Sequence, residues 1–345
     1  MKSMKMRLLC ALLPALLAMG CTSTDVVSPS DPEKKSDVIT LSVSAPEAYA
    51  FPSTRAAHEG HQLRYVAKLY KGKSTGSINV DKFVARKEML ASAGSLIQFE
   101  APEKGDYTVT IFADYIPSDA EKDEKGSYGN KYYKIDGNDD YIDILEHGDN
   151  TLPPYSVNND NYDCFVKVLR ITKGDDAYEE DVVLRRAVAK VIVQANDGGR
   201  PDGVTKITLT KLSFMTQYSL DNGIAVANAN KTNISVDLTF DNSGTELFYF
   251  YTFPAKKGSS YIQGQGLNEI TFRIGAKDDS YAYNDCSISP SLFYPEANYI
   301  YRVKGDFLKP TNAPALPSDM INLTVSVSED WESNEITQSV KQSEK

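Results

Sequence analysis

The stretch ITLSVSAPEAYAFPSTRAA, running from Ile39 to Ala57, joins two segments of opposite character. In Ile39–Ser44 every second residue is apolar. Ile39, Leu41 and Val43 therefore fall on one face of an extended strand, and Thr40, Ser42 and Ser44 on the other. That is the pattern of a half-buried strand. The continuation, Ala45–Ala57, carries Pro46 and Pro52 among small residues, has no apolar alternation, and offers one basic residue, Arg55, between Thr54 and Ala56. Exposed segments of this composition are where proteolysis concentrates. A strand made for a core is thus followed at once by a segment suited to being cut.

The same period-2 signal recurs along the chain. Runs rich in Val, Ile, Tyr, Phe and Thr predict strands at Leu63–Tyr70, Leu96–Glu100, Tyr107–Tyr115, Cys164–Ile171 and Val182–Val193. Others follow at Lys206–Phe214, Ile234–Phe240, Glu246–Phe253, Glu269–Ile274, Asn298–Phe307 and Ile321–Val327. Turns such as PEKGD, DGND, NDGGRPDG and DNSG separate them. A short helix is expected at most over Asp81–Ala93. The reading is all-β, with two β-sandwich domains. We place the first domain at 38–175 and the second at 176–335, with a tail at 336–345. The charged stretch KGDDAYEEDV (Lys173–Val182) is taken as the boundary, because this groups VVLRRAVAKVIVQ with TKITLTKLSF as neighbouring strands; NDGGRPDG (Asn196–Gly203) is the other candidate.

The amino terminus reads as a secretory signal over residues 1–20: Lys2, Lys5 and Arg7, then the apolar run Leu8–Ala18. The ending LLAMGC resembles a bacterial lipobox, which makes Cys21 the residue exposed by cleavage and lipidated. Residues 21–37 are polar and rich in Pro and Ser, the composition of a flexible tether. Removing residues 1–20 takes three of the 37 basic residues and no acidic ones, so 34 basic residues face 47 acidic ones, a net charge near −13. Such a surface disfavours nucleic acid as a partner. Cys164 and Cys286 remain in the body, outside any zinc-ligand spacing; a disulfide or two buried thiols both fit an exported protein.

Motifs for chemistry are weak. His58-Glu59-Gly60-His61 holds an HxxH pair, but Gly60 and the preceding turn argue against the helix that would put both imidazoles on one face, so it reads as a solvated loop. Asp136, Asn138 and Asp140 alternate like the start of a calcium loop. Tyr141 then stands where the turn glycine belongs, and His147 where a bidentate Glu belongs, so DGNDDYIDILEHGDN (Asp136–Asn150) reads as a surface turn. No nucleophile elbow, phosphate loop or dinucleotide fingerprint is present in the sequence. The chain is read as non-enzymatic, with no catalytic residue, metal or cofactor. The 21 tyrosines cluster at Tyr128–Tyr133, Phe248–Tyr251 and Tyr294–Tyr301, where alternation along strands favours core packing over glycan stacking.

The two ends of the chain share one pattern. Ile39-Thr-Leu-Ser-Val-Ser44 and Ile321-Asn-Leu-Thr-Val-Ser326 both read Ile-polar-Leu-hydroxyl-Val-Ser, and Val327 extends the second. Strands with the same inward residues can fill the same groove, as in β-strand addition. Repeated head to tail, such a contact does not close and makes a filament.

The lipobox at Cys21, STRAA around Arg55, LRYVAKLY (Leu63–Tyr70), LRRAVAKVIVQ (Leu184–Gln194) and VSVSEDW ending at Trp331 together resemble the fimbrillins, fimbrial subunits of anaerobic gut and oral diderm bacteria. The resemblance implies a transthyretin-like first sandwich and export as an outer-membrane lipoprotein precursor. It implies cleavage between Arg55 and Ala56, loss of the strand bearing Ile39, Leu41 and Val43, and its replacement by a strand bearing Ile321, Leu323, Val325 and Val327 from another copy. The implied partners are other copies or related subunits, the membrane through the lipid at Cys21 before cleavage, and a host or microbial surface ligand. Anchor and accessory members keep their lipid, which leaves a permanently anchored subunit or a glycan-binding surface lipoprotein as the alternative.

Overall fold

A computed structural model describes residues 37–45, 58–74, 78, 80–92, 95–101, 103–135, 141–145, 155–195, 206–239, 246–254, 270–276, 285–288, 295–305, 324–328 and 335–339. These residues form 19 strands and two single 3-10 turns. In chain order the first ten strands are β1 (Val38–Ser44), β2 (His61–Lys71), β3 (Phe83–Leu90), β4 (Leu96–Glu100), β5 (Gly105–Pro117), β6 (Tyr133–Lys134), β7 (Tyr141–Ile144), β8 (Cys164–Lys173), β9 (Tyr178–Val183) and β10 (Arg185–Arg186). The rest are β11 (Ala189–Ala195), β12 (Lys206–Ser219), β13 (Ile224–Thr239), β14 (Glu246–Thr252), β15 (Ile270–Ala276), β16 (Asp285–Ile288), β17 (Ile300–Gly305), β18 (Thr324–Ser328) and β19 (Glu335–Ser339).

The first sandwich packs a three-stranded sheet, β4-β1-β9, on a five-stranded sheet, β10-β8-β5-β2-β3. Ile39, Leu41, Ile97, Phe99 and Val182 come from one sheet, and Ala67, Leu69, Val109, Ile111 and Phe165 from the other. The second sandwich packs β14-β11-β17-β18-β19 on β16-β15-β12-β7-β6, with β13 alongside β12. Its core is aromatic, built around Tyr133, Tyr155, Tyr162, Phe214, Tyr218, Phe248, Phe250 and Phe253. The tyrosine clusters thus supply packing, as alternation along strands favours.

The five-stranded sheet is covered on both faces. Val66 and Phe112 point away from the first core and join the second. This explains why β5 is buried continuously from Tyr107 to Ile116 instead of at alternate positions. A doubly covered strand must neutralise any charge it carries. Arg64 of β2 and Asp114 of β5 stand directly opposite in the register, both with no exposed side chain, and form a two-pronged ion pair at 2.8 Å.

Several sequence expectations change. Asp81–Ala93, read as the one short helix, holds a 3-10 turn (Val80–Lys82) and then β3, whose edge position on β2 overrides the local pattern. The run Val182–Val193 is not one strand: it ends β9, supplies β10, and begins β11 in another sheet. The break follows from Arg186, whose side chain turns inward to the Asp163 carboxylate. The division expected at 175 and 176 falls between β8 and β9, although both belong to the first sandwich; β11 and β12, expected to neighbour each other, lie in opposite sheets of the second. The Asp136–Asn150 stretch read as a surface turn contains β7, which pairs with β6 and β12 because Ile142 and Ile144 belong to the second core. The tail expected over 336–345 contributes to β19.

Candidate functional site

The site that the opening stretch defines is the seat of β1. Its alternation dictates a strand with one apolar face, and that face closes the first core: Ile39 and Leu41 have no exposed surface, and Val43 is 4% exposed. β1 runs antiparallel to β4, with Leu41 opposite Ile97, and parallel to β9, with Leu41 opposite Glu180. Among the described residues no ladder joins β4 to β9 directly, so β1 is the link between them. The outer edge of β9 carries Glu179, Glu180 and Asp181, a run of charge that discourages further strand pairing there.

Hydrogen bonds fix both ends of β1. Asp37 accepts from the Ala101 N–H at 2.7 Å. At the other end, the Val43 N–H donates to the Ser95 carbonyl at 2.9 Å, the Leu184 N–H donates to the Ser44 carbonyl at 2.9 Å, and the Ala45 N–H donates to the Tyr65 hydroxyl at 3.1 Å. The three inward side chains contribute roughly 1.5–3 kcal/mol each through burial. The whole strand is therefore a substantial part of the stability of its sandwich.

Of the other expected site residues, Cys21, Arg55, Ala56, Ile321 and Leu323 lie outside the described residues. Val325 and Val327 lie on β18, which is antiparallel to β17 on one side, with Val325 opposite Val303, and to β19 on the other, with Val327 opposite Ile336. The strand expected to act on another copy is thus paired along both edges within its own chain. Cys164 is a free thiol buried in the second core, and burial pushes its pKa well above the ordinary range.

The histidine pair is not a solvated loop. His58 stacks on Tyr115, with ring centroids 3.6 Å apart, and its Nδ1 meets Asn161 Oδ1 at 3.0 Å. His61 Nε2 meets the Tyr132 hydroxyl at 2.8 Å, and Asn161 Nδ2 donates to the same hydroxyl at 3.3 Å. His58 thus docks the start of β2 onto the segment Asn159–Asp163, and His61 joins it through the shared Tyr132 hydroxyl. Among the described residues no group of three or more His, Cys, Asp or Glu side chains is placed to hold a metal ion.

That segment, NDNYD (Asn159–Asp163), is a polar hub the sequence reading missed. Asp160 accepts from Lys190 Nζ at 2.7 Å and from the Tyr251 hydroxyl at 2.7 Å, reaching β11 and β14 of the second sandwich. Asp163 receives Arg186 Nε at 2.6 Å and Nη2 at 2.8 Å, and Arg186 also donates to Asn298 at 3.2 Å. A 3-10 turn capped by Asn159 points these side chains in different directions.

His58 gives the hub a pH dependence. Burial lowers its pKa below the usual 6.5; the Asn161 hydrogen bond and the Asp163 and Asp160 charges oppose this without cancelling it. A folded-state pKa below the unfolded one means that docking contributes fully above about pH 6.5 and is progressively lost as pH falls through and below that value. The urea midpoint of the natural chain is therefore expected to fall between pH 7.5 and 5 by more than that of His58→Gln. Identical pH profiles would refute the assignment.

Among the described residues no helix is long and apolar enough to cross a membrane. No curated protein matches the chain. Among solved structures it is similar to a putative polysaccharide binding protein (DUF1812) from Bacteroides thetaiotaomicron, at 10% identity over 85% of this chain and 96% of that one, TM-score 0.47. It is also similar to a fimbrial assembly protein from Parabacteroides distasonis, at 13% identity over 87% and 98%, TM-score 0.41. A third is the fimbrial anchor protein Mfa2 from Porphyromonas gingivalis, at 12% identity over 85% and 97%, TM-score 0.42. A family model matches residues 32–259, two thirds of the sequence, and the chain belongs to that family, the family of unknown function DUF6562.

Proposed function

We propose that the chain is a non-enzymatic structural subunit of a surface fimbria. In this reading it is exported as an outer-membrane lipoprotein precursor with its lipid on Cys21, cut between Arg55 and Ala56, and polymerised when a strand from another copy takes the seat of β1. The observation that supports it is the position of β1: the first of the described strands, with all three inward side chains buried, is the link between two strands that no other described ladder joins. It is followed by the cuttable sequence Ala45–Ala57. Such a strand is separable in sequence and indispensable in packing, and its loss creates a demand that only another strand satisfies. The pattern shared with Ile321–Val327 supports that stretch as the donor.

A second reading, a permanently anchored accessory subunit, is favoured by β18 being paired on both edges. The two separate on a native gel. Treating the purified precursor with an arginine-specific protease is expected to produce a ladder of multimers, absent for Arg55→Ala and for a chain lacking Ile321–Lys345. A product cut after Arg55 that stays monomeric would reject polymerisation and favour the anchor.

A further inference from the structure

The seat of β1 has a polar group in its apolar floor. Tyr65 sits on β2 of the facing sheet, 4% exposed, and its hydroxyl accepts the Ala45 N–H at 3.1 Å, its one hydrogen-bond partner among the described residues. Burial holds its pKa above the ordinary phenol value, so the hydroxyl stays neutral. Ala45 continues the inward series of Ile39, Leu41 and Val43 and is partly buried against the same core. Pro46 follows, so the Ala45 N–H is the last donor before a residue that has none.

The inward apolar residues decide which face of a strand meets the core and make no demand on its backbone. Every residue but proline offers a backbone N–H, so proline at the position of Ala45 would leave the buried Tyr65 hydroxyl without its partner, which is costly. We infer that Tyr65 makes this groove select against proline: a strand filling it must present a backbone N–H two residues beyond its third inward apolar side chain. For an incoming strand this rests on the strand-replacement reading above. The partner it selects is an extended segment of three alternating apolar residues, followed two positions after the last by a residue other than proline, as Val327 follows Val325.

The test uses protein cut after Arg55, separated from its amino-terminal fragment in urea and refolded with one of two labelled peptides. One is VITLSVSA, the sequence of Val38–Ala45; the other is the same peptide N-methylated on its final alanine. Capture of the methylated peptide is expected to be about five- to tenfold weaker on the natural protein, the loss of one hydrogen bond, and equal to that of the first peptide on Tyr65→Phe. Equal capture by the natural protein, or full discrimination retained by Tyr65→Phe, would overturn the inference. In the uncut chain, Ala45→Pro and Tyr65→Phe are expected to lower the urea midpoint non-additively, because each breaks the same bond. Additive losses would overturn it too. If neither peptide is captured while the uncut chain shows the coupling, the strand-replacement reading falls and the contact between Ala45 and Tyr65 stands.

Discussion

A chain that begins at Ala56 is expected not to persist as a folded monomer. It lacks β1, so Ile97, Phe99 and Val182 lose their cover, and both β4 and β9 lose their ladder partner. Three inward side chains at roughly 1.5–3 kcal/mol each amount to about 5–9 kcal/mol. That compares with a total stability of about 5–15 kcal/mol for an ordinary domain. The expected result is aggregation or association during gel filtration, with the monomer restored when the Val38–Ala45 peptide is supplied during refolding. A chain from Ala56 that elutes as a monomer with the urea midpoint of the full chain would show that β1 is dispensable, and the strand-replacement reading would fall with it.

The second large effect belongs to the hub. Asp163→Ala is expected to cost about 3–5 kcal/mol, because it strands the Arg186 guanidinium in a place where its side chain is 3% exposed. Arg186 packs over the Phe165 ring, 5.1 Å from its centroid, and burial and this packing hold it in place when its partner is removed. Combining Asp163→Ala with Arg186→Met is expected to recover much of the loss, since the apolar replacement removes the unpaired charge instead of leaving it buried. Urea unfolding of the two single variants and the double variant measures the coupling. Losses that simply add would show that the pair does not act as a unit.

Of the first sandwich, β1, β2, β4, β5 and β8 were legible as runs of strand-forming residues, and ITLSVS announced which of its side chains would be inward. What was not legible is who pairs with whom. The partner of β1 on its parallel side is YEEDVV, read as part of a linker because three consecutive acidic residues mask the alternation of Tyr178, Glu180 and Val182. A parallel ladder also brings together segments far apart in sequence, here Ile39 and Tyr178, and nothing local records that. The hub failed to show for a related reason. Asp160, Asn161 and Asp163 have the composition of an exposed turn, and only the arrival of Lys190, Arg186 and His58 from distant strands makes their burial tolerable. His58 and His61 looked solvated because their partners, Asn161, Tyr115 and Tyr132, are set by the fold. Tyr65 gave no signal at all: in LRYVAKLY it is one more inward aromatic, and its hydroxyl acquires a role only when the end of β1 arrives above it.

The way β1 is held also decides how it responds to being pulled. Its ladders run along both edges, and the bonds at Val43, Ser44 and Ala45 gather at the end farther from the amino terminus. Tension applied from the amino-terminal side, along the strand axis, loads these bonds together in shear and cannot peel them open one at a time. The same strand drawn sideways from its Ala45 end would meet them in succession. The seat is thus mechanically directional, stiff to a pull from the Val38 end of the strand and yielding to one from its Ala45 end.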